Sequence, residues 1–224
     1  SDYVTGTTLV AEAIGGWWTG SIALIAVAGH MLVDTGALIV ALLAAWASLR
    51  PRDHRRTFGY GRTQILGALA NGLLLGAVSA GVAVEAIDRL RVTPERIAAL
   101  PMLGIACIGL VANLLAARFL HRTHSHNLNV RAALWHVLGD ALGSLGAIVA
   151  ALCILLWNMP RADGIAALSI AVLLVLRAYR LVRDSVDVLL EATPRDVDVS
   201  EIVREVCRLP GVVSIHDLHI WTVG

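Results

Sequence analysis

The sequence predicts an all-α membrane protein: a six-transmembrane-helix bundle followed by the start of a small α/β domain, truncated after its first strand. Composition predicts the membrane part. Residues of the AVILMFWYC set make up 57% of the 224, charged residues only 16%, and mean hydropathy is +0.73. That excludes a disordered chain and argues against an ordinary soluble globule. The spread of charge points the same way, because long uncharged runs alternate with short Arg-rich segments. The α/β domain is predicted by a change of texture after Pro194, where amphipathic and then β-branched patterns replace the apolar runs.

A bilayer core takes about 20 apolar residues in a helix. Six segments qualify: 3–18, 21–49, 63–84, 97–117, 131–157 and 163–182. The first holds a lone Glu12, begins close to the chain start, and lacks the basic flank and small-residue cleavage site of a signal peptide. Between Ser21 and Leu49 the ionisable residues are His30 and Asp34. In the fifth span the ionisable residues past Arg131 are His136 and Asp140. The sixth continues as a charged helix toward Glu191. Residues 1–183 therefore form the membrane domain, 184–194 a linker, and 195–224 the opening of a soluble domain. Its helix is read from the apolar spacing of Ile202, Val203, Val206 and Leu209, ended by Pro210-Gly211, and its strand from Val212 to Val223.

Orientation follows from arginine, since all 18 basic residues are Arg. Arg50, Arg52, Arg55, Arg56 and Arg62 lie between spans two and three. Arg118, Arg122 and Arg131 flank the loop between spans four and five, and Arg177, Arg180 and Arg183 mark the end of span six. The opposite side has fewer, so both termini are expected in the cytoplasm. A net charge of +1 leaves no basic face for nucleic acid. Cys107, Cys153 and Cys207 read as small apolar residues rather than a disulfide framework.

The chemistry concentrates in two copies of one pattern, His30-Met-Leu-Val-Asp34 and His136-Val-Leu-Gly-Asp140. On a helix, i and i+4 share a face with Cβ atoms about 5–6 Å apart. Each helix thus offers one imidazole nitrogen and one carboxylate oxygen toward a common point. A lone pair of this kind would be a buried structural hydrogen bond. Two identical pairs on two spans suit a divalent cation, which offsets the cost of burying both carboxylates. Two nitrogens and two oxygens form a tetrahedral set for Zn²⁺. The set lacks thiolates, and it binds imidazole neutral and carboxylate ionised, so metal and protons compete there. Proton–metal competition near the bilayer midplane is a physical basis for antiport.

At these residues the chain resembles the cation diffusion facilitator family, specifically the zinc-exporting branch similar to bacterial cobalt–zinc–cadmium resistance exporters. The resemblance is carried by Gly20-Ser-Ile-Ala-Leu24 leading into Ala28-Gly-His-Met-Leu-Val-Asp34, by Arg56-Thr-Phe-Gly-Tyr-Gly-Arg62, and by the stretch from His126 through Trp135-His136 to Asp140 and Ser144. Leu189-Leu-Glu-Ala-Thr-Pro194 and His216-Asp-Leu-His-Ile-Trp221 complete it, in the family's order along nearly the whole chain. The resemblance implies a six-helix homodimer in the inner (plasma) membrane that exports Zn²⁺, with Cd²⁺ and Co²⁺ as further substrates, in exchange for H⁺. It places the transport ligands on His30, Asp34, His136 and Asp140. It also implies a ferredoxin-like cytoplasmic domain that dimerises and binds regulatory zinc, with His216 among its ligands. Two positions depart from the branch's pattern: Val27 stands where relatives have Asp, and Gln64 where they have Glu.

Other polar residues carry weaker signals. His121, His124 and His126 could gather zinc before span five, or form a solvated loop. Asp53 and His54 sit beside Arg55 and Arg56, which repel a cation. Glu12 and Glu85 in apolar runs need a partner or a place at an interface, and Asn71 and Asn113 read as interhelical hydrogen-bond glue rather than ligands. Trp17, Trp18 and Trp157 read as interfacial anchors, and Gly16/Gly20, Gly72/Gly76 and Gly139/Gly143 as close-approach pairs. Two competing readings stand beside the antiporter. One is a transport-impaired metal-binding membrane dimer or sensor. The other is an intramembrane zinc hydrolase, which would need an open coordination position and a general base that the closed four-ligand set does not offer.

Overall fold

A computed structural model describes residues 13–92, 97–122 and 128–222, with side chains placed for all of these except 122 and 128–133. Helical residues 13–19 come first. Then follow α1 (Ile22–Ser48), α2 (Thr63–Arg91), α3 (Ala99–Arg122), α4 (Leu128–Trp157), α5 (Arg161–Leu189) and the short α6 (Val199–Val206). Five of these helices, α1 to α5, are long and apolar enough to cross a membrane, and the protein is a multi-pass membrane protein. They coincide with the second to sixth expected spans. Of the first expected span, residues 1–12 and hence Glu12 lie outside the described residues.

Local chemistry sets the helix ends. Pro51 follows α1 closely, and Pro101 sits in the first turn of α3, where a missing N–H costs nothing. Asn158 ends α4 at φ 51°, a left-handed conformation that Asn tolerates. Glu191 takes up φ 58° after α5, so the charged continuation expected beyond span six is a helix to Leu189 and then a turn. Asp198 caps α6 by accepting from the backbone N–H groups of Ser200 (2.8 Å) and Glu201 (3.3 Å).

The strand expected over Val212 to Val223 does not form: residues 212–222 run without regular structure, and no strand occurs among the described residues. A strand exists through its ladder, and β-branched composition alone cannot supply the neighbour that takes up its N–H and C=O groups.

The chain divides into two compact units, residues 1–36 with 73–179 and residues 37–72 with 180–224. The first is held by small residues: Ala23, Ala26, Ala106, Ala147, Ala151 and Ala167 are all fully buried, around larger Ile22, Leu24 and Met102. Lipid is as apolar as leucine, so helices in a bilayer associate through close packing, which small side chains permit. Larger side chains such as Leu142, Trp157 and Leu173 are exposed, as a lipid-facing surface requires. In the second unit, a Cβ on Gly72 would lie 2.9 Å from Val182 Cγ2, so that glycine lets α2 approach α5 there. Arg62 donates to Glu191 Oε1 at 2.6 Å, and Arg195 bridges Asp184 and Asp187.

Candidate metal-transport site

The first unit places the expected four residues together. His30 and Asp34 face inward from α1, and His136 and Asp140 from α4. One ligand atom from each lies within 4.8 Å of the other three. The individual separations are His30 Nε2–Asp34 Oδ2 3.3 Å, His30 Nε2–Asp140 Oδ1 3.2 Å, His136 Nε2–Asp34 Oδ2 3.1 Å and His136 Nε2–Asp140 Oδ2 3.6 Å. A regular tetrahedron with metal–ligand bonds of about 2.0–2.1 Å has edges of about 3.3–3.4 Å. The four separations, which draw on both oxygens of Asp140, straddle that length. The two rings meet edge-on, with centroids 5.8 Å apart and planes at 62°, so each nitrogen points inward without stacking.

Each nitrogen faces two carboxylates, and the hydrogen bonding is incomplete. His30 Nδ1 and Asp34 Oδ2 are buried without a hydrogen-bond partner, although Asp34 Oδ2 is close to both imidazoles. A buried polar group left in this condition calls for an explanation. For Asp34 Oδ2, clustered donor atoms around a point that a cation could fill provide one; His30 Nδ1 lies across its ring from the Nε2 that faces that point. His30 and Asp140 are nearly enclosed, whereas His136 is 45% exposed, so the cluster is reachable from one side.

Two residues that bear on the cluster or on the helix carrying it were not singled out by sequence. Arg177, read as part of a charged helix end, lies within the α5 span, and its Nη1 is 3.5 Å from His30 Nε2. Asp163, read only as the start of span six, is fully buried. It accepts from Ser21 Oγ (2.5 Å) and from the backbone N–H groups of Ile22 (2.8 Å) and Ala23 (3.2 Å). It thereby caps α1, the helix that carries His30 and Asp34, from a different helix. Arg89 completes the arrangement, 3.9 Å from Asp163 Oδ2 and donating to the Gly20 carbonyl, with Glu85 on its other side at 3.5 Å. Gly20 holds φ 71° at this turn, which L side chains adopt rarely. The sequence signal for Asp163 was an acidic residue in the first turn of a span; that for Arg177 was an arginine well inside one.

The remaining expectations separate cleanly. His216 is exposed, with Ser214 Oγ 2.8 Å from its Nε2, and joins no three-residue ligand cluster among the described residues. His121 is exposed, while His124 and His126 lie outside the described residues. Asp53 is committed to its own loop: it accepts from the N–H groups of Arg56 (2.6 Å) and Arg55 (2.8 Å) and from the Tyr60 hydroxyl (2.9 Å). These bonds, with Arg56 first, hold its carboxyl below the usual range. Val27 is buried in the packing core, where a Cβ on Gly143 would contact its Cγ2 at 3.4 Å. Gln64 donates to Ser48 Oγ at 2.9 Å. Trp17, Trp18 and Trp157 are all exposed, as anchors would be.

Comparison with known proteins gives a consistent result. A family profile described as the cation efflux transmembrane domain matches residues 3–190. The zinc transporter ZitB of Escherichia coli is 45% identical over 223 residues, covering 99% of this chain and 71% of that protein. A Bacillus subtilis protein named as a cadmium, cobalt and zinc/H(+)-K(+) antiporter is 42% identical over 222 residues, 98% of this chain and 71% of its own length. The metal cation efflux system protein CzcD of Cupriavidus metallidurans is 43% identical over 220 residues, 98% of this chain and 69% of its own.

Proposed function

The chain belongs to the cation efflux family, whose members are transporters and not enzymes, and from that premise we propose that it exports Zn²⁺ from the cytoplasm in exchange for protons. Cd²⁺ and Co²⁺ are further substrates, since an N₂O₂ set suits them tolerably. The observation that carries the reading is the approach of four ligand atoms, from His30, Asp34, His136 and Asp140, to within 4.8 Å of one another. Alternating access works around this site. His136, the most exposed member, offers the entering ion its first contact, and α1 and α4 close the set behind it. Protons take the place of the ion, because imidazole and carboxylate both bind the metal only when deprotonated.

The rest of the organisation follows the same reading. Six spans cross the inner membrane, the first over residues 3–18, with both termini in the cytoplasm. Residues 184–194 link the bundle to a ferredoxin-like cytoplasmic domain beginning at 195, which holds His216 toward a regulatory zinc site, and the protein works as a homodimer. The experiment is zinc flux into proteoliposomes under an imposed pH gradient, with Asp140→Ala beside the parent. Gradient-driven flux that disappears in the variant is the expected result. Zinc binding without flux would favour a transport-impaired metal-binding membrane protein instead.

A further inference from the structure

An arginine inside a membrane span is costly and normally finds an anionic partner or a water-filled cavity. Arg177 has no carboxylate paired directly with it among the described residues; its polar contact is His30 Nε2, at 3.5 Å. That nitrogen is also the one approached by Asp34 at 3.3 Å and Asp140 at 3.2 Å. The guanidinium therefore stands beside the atom that two carboxylates share. Space has been left for it. A Cβ on Gly139 would lie 1.8 Å from Arg177 Nη2, so only glycine at this position, one residue before Asp140, admits the guanidinium where it lies. Space to leave is also present: a cavity of about 590 Å³ is lined by His30, Asp140 and Arg177 at one end and by Leu142, Leu145 and Val149 further along.

We propose that Arg177 is a tethered counter-cation of the metal site, which offsets the charge of Asp34 and Asp140 when no ion is bound and weakens the hold on an ion that enters. The proposal rests on the ligand reading above. Without Arg177 the two carboxylates would face each other across the imidazoles with no fixed positive charge nearby. With it, a divalent ion must displace the guanidinium toward the cavity or bind beside a like charge. Either way part of the binding free energy is given up, and release becomes faster. A site built only for tight capture would have no use for such a residue. One that must let its ion go on every cycle does.

The test measures zinc affinity of the full chain in lipid nanodiscs by competition with a fluorescent chelator, and zinc flux in proteoliposomes. Arg177→Gln is expected to bind zinc about tenfold more tightly and to turn over more slowly, so half-saturation and maximal rate fall together. Arg177→Lys, which keeps the charge, is expected to stay near the parent. Gly139→Ala, which moves the guanidinium away without removing it, should fall between the two. A merely structural arginine would give weaker or unchanged binding in Arg177→Gln, and either result overturns the proposal. Should Arg177→Gln fail to fold, Gly139→Ala decides alone: tighter binding supports the proposal and unchanged or weaker binding overturns it. Asp140→Ala, alone and combined with Arg177→Gln, separates the premises. In a His216→Ala background, zinc binding that survives Asp140→Ala at unchanged affinity removes the ligand reading, and the role of Arg177 falls with it.

Discussion

Two sets of buried carboxylates serve the same helix in opposite ways. At the start of α1, Asp163 is fully enclosed; its acceptor oxygens receive the Ser21 hydroxyl and two backbone N–H groups, and Arg89 stands beside it. About three turns further along, Asp34 and Asp140 meet imidazole nitrogens at 3.1–3.6 Å, and Asp34 Oδ2 lacks a hydrogen-bond partner. Burial is similar for Asp163 and Asp140, but satisfaction is not. A carboxylate with hydrogen bonds to both oxygens fixes structure. One whose neighbours are incomplete keeps a place for a guest. The contrast separates a structural carboxylate from the proposed metal ligands on one helix, and it shows why burial by itself does not identify a site.

Substitution should expose the difference. Asp140→Asn removes one charge from the cluster and is expected to weaken zinc binding by at least about a hundredfold, because even groups that only orient a metal ligand cost 10–100-fold when lost. Its thermal stability without metal should hold, since one of two like charges in the cluster has gone. Asp163→Ala should do the reverse. Removing one partner of a buried ionic arrangement costs about 3–5 kcal/mol, with the lost cap included, and the loss appears as a lower unfolding temperature in detergent. Zinc affinity should fall only as far as α1 loosens. Equal effects of the two substitutions on stability would break the comparison.

The legibility of the two regions also differed, for a physical reason. The two His-x-x-x-Asp pairs were readable because the α-helical repeat alone puts i and i+4 on one face, and the spans were readable because a bilayer demands long apolar runs. Nothing local marked Asp163 as a cap for α1, because its partners Ser21, Ile22 and Ala23 are about 140 residues away in sequence. Arg177 was hidden by its neighbours: Arg180 and Arg183 made it read as one edge of a charged helix end, and only packing shows that it turns toward His30. The strand after Gly211 was misjudged because β-branched composition describes a strand's surface and not its pairing.

The smallest effect lies outside the membrane, in the loop that begins at Leu49. There Asp53 is held below its ordinary pKa of 3.8 by the Arg56 and Arg55 amides and the Tyr60 hydroxyl. A lowered carboxylate pKa contributes stability that is complete above the unfolded value and is lost as pH falls through the folded one. Hydrogen exchange at the 55 and 56 amides should therefore be faster in Asp53→Ala than in the parent at neutral pH, and the gap should close once the medium is acid enough to protonate Asp53. A gap that persists at that acidity would remove the charge-based account of this loop. Zinc flux should be almost unaffected by the change, in contrast to any change in the cluster.

The measurement that bears most directly on the central claim is X-ray absorption at the zinc edge, with one equivalent of zinc per chain in a His216→Ala background. The account predicts four nitrogen or oxygen ligands at about 2.0–2.1 Å, outer-shell scattering from two imidazoles, and no sulfur. His136→Ala should remove one imidazole from that signal. A sulfur ligand, or a spectrum unchanged by His136→Ala, would show that zinc sits elsewhere in the chain and would contradict the account.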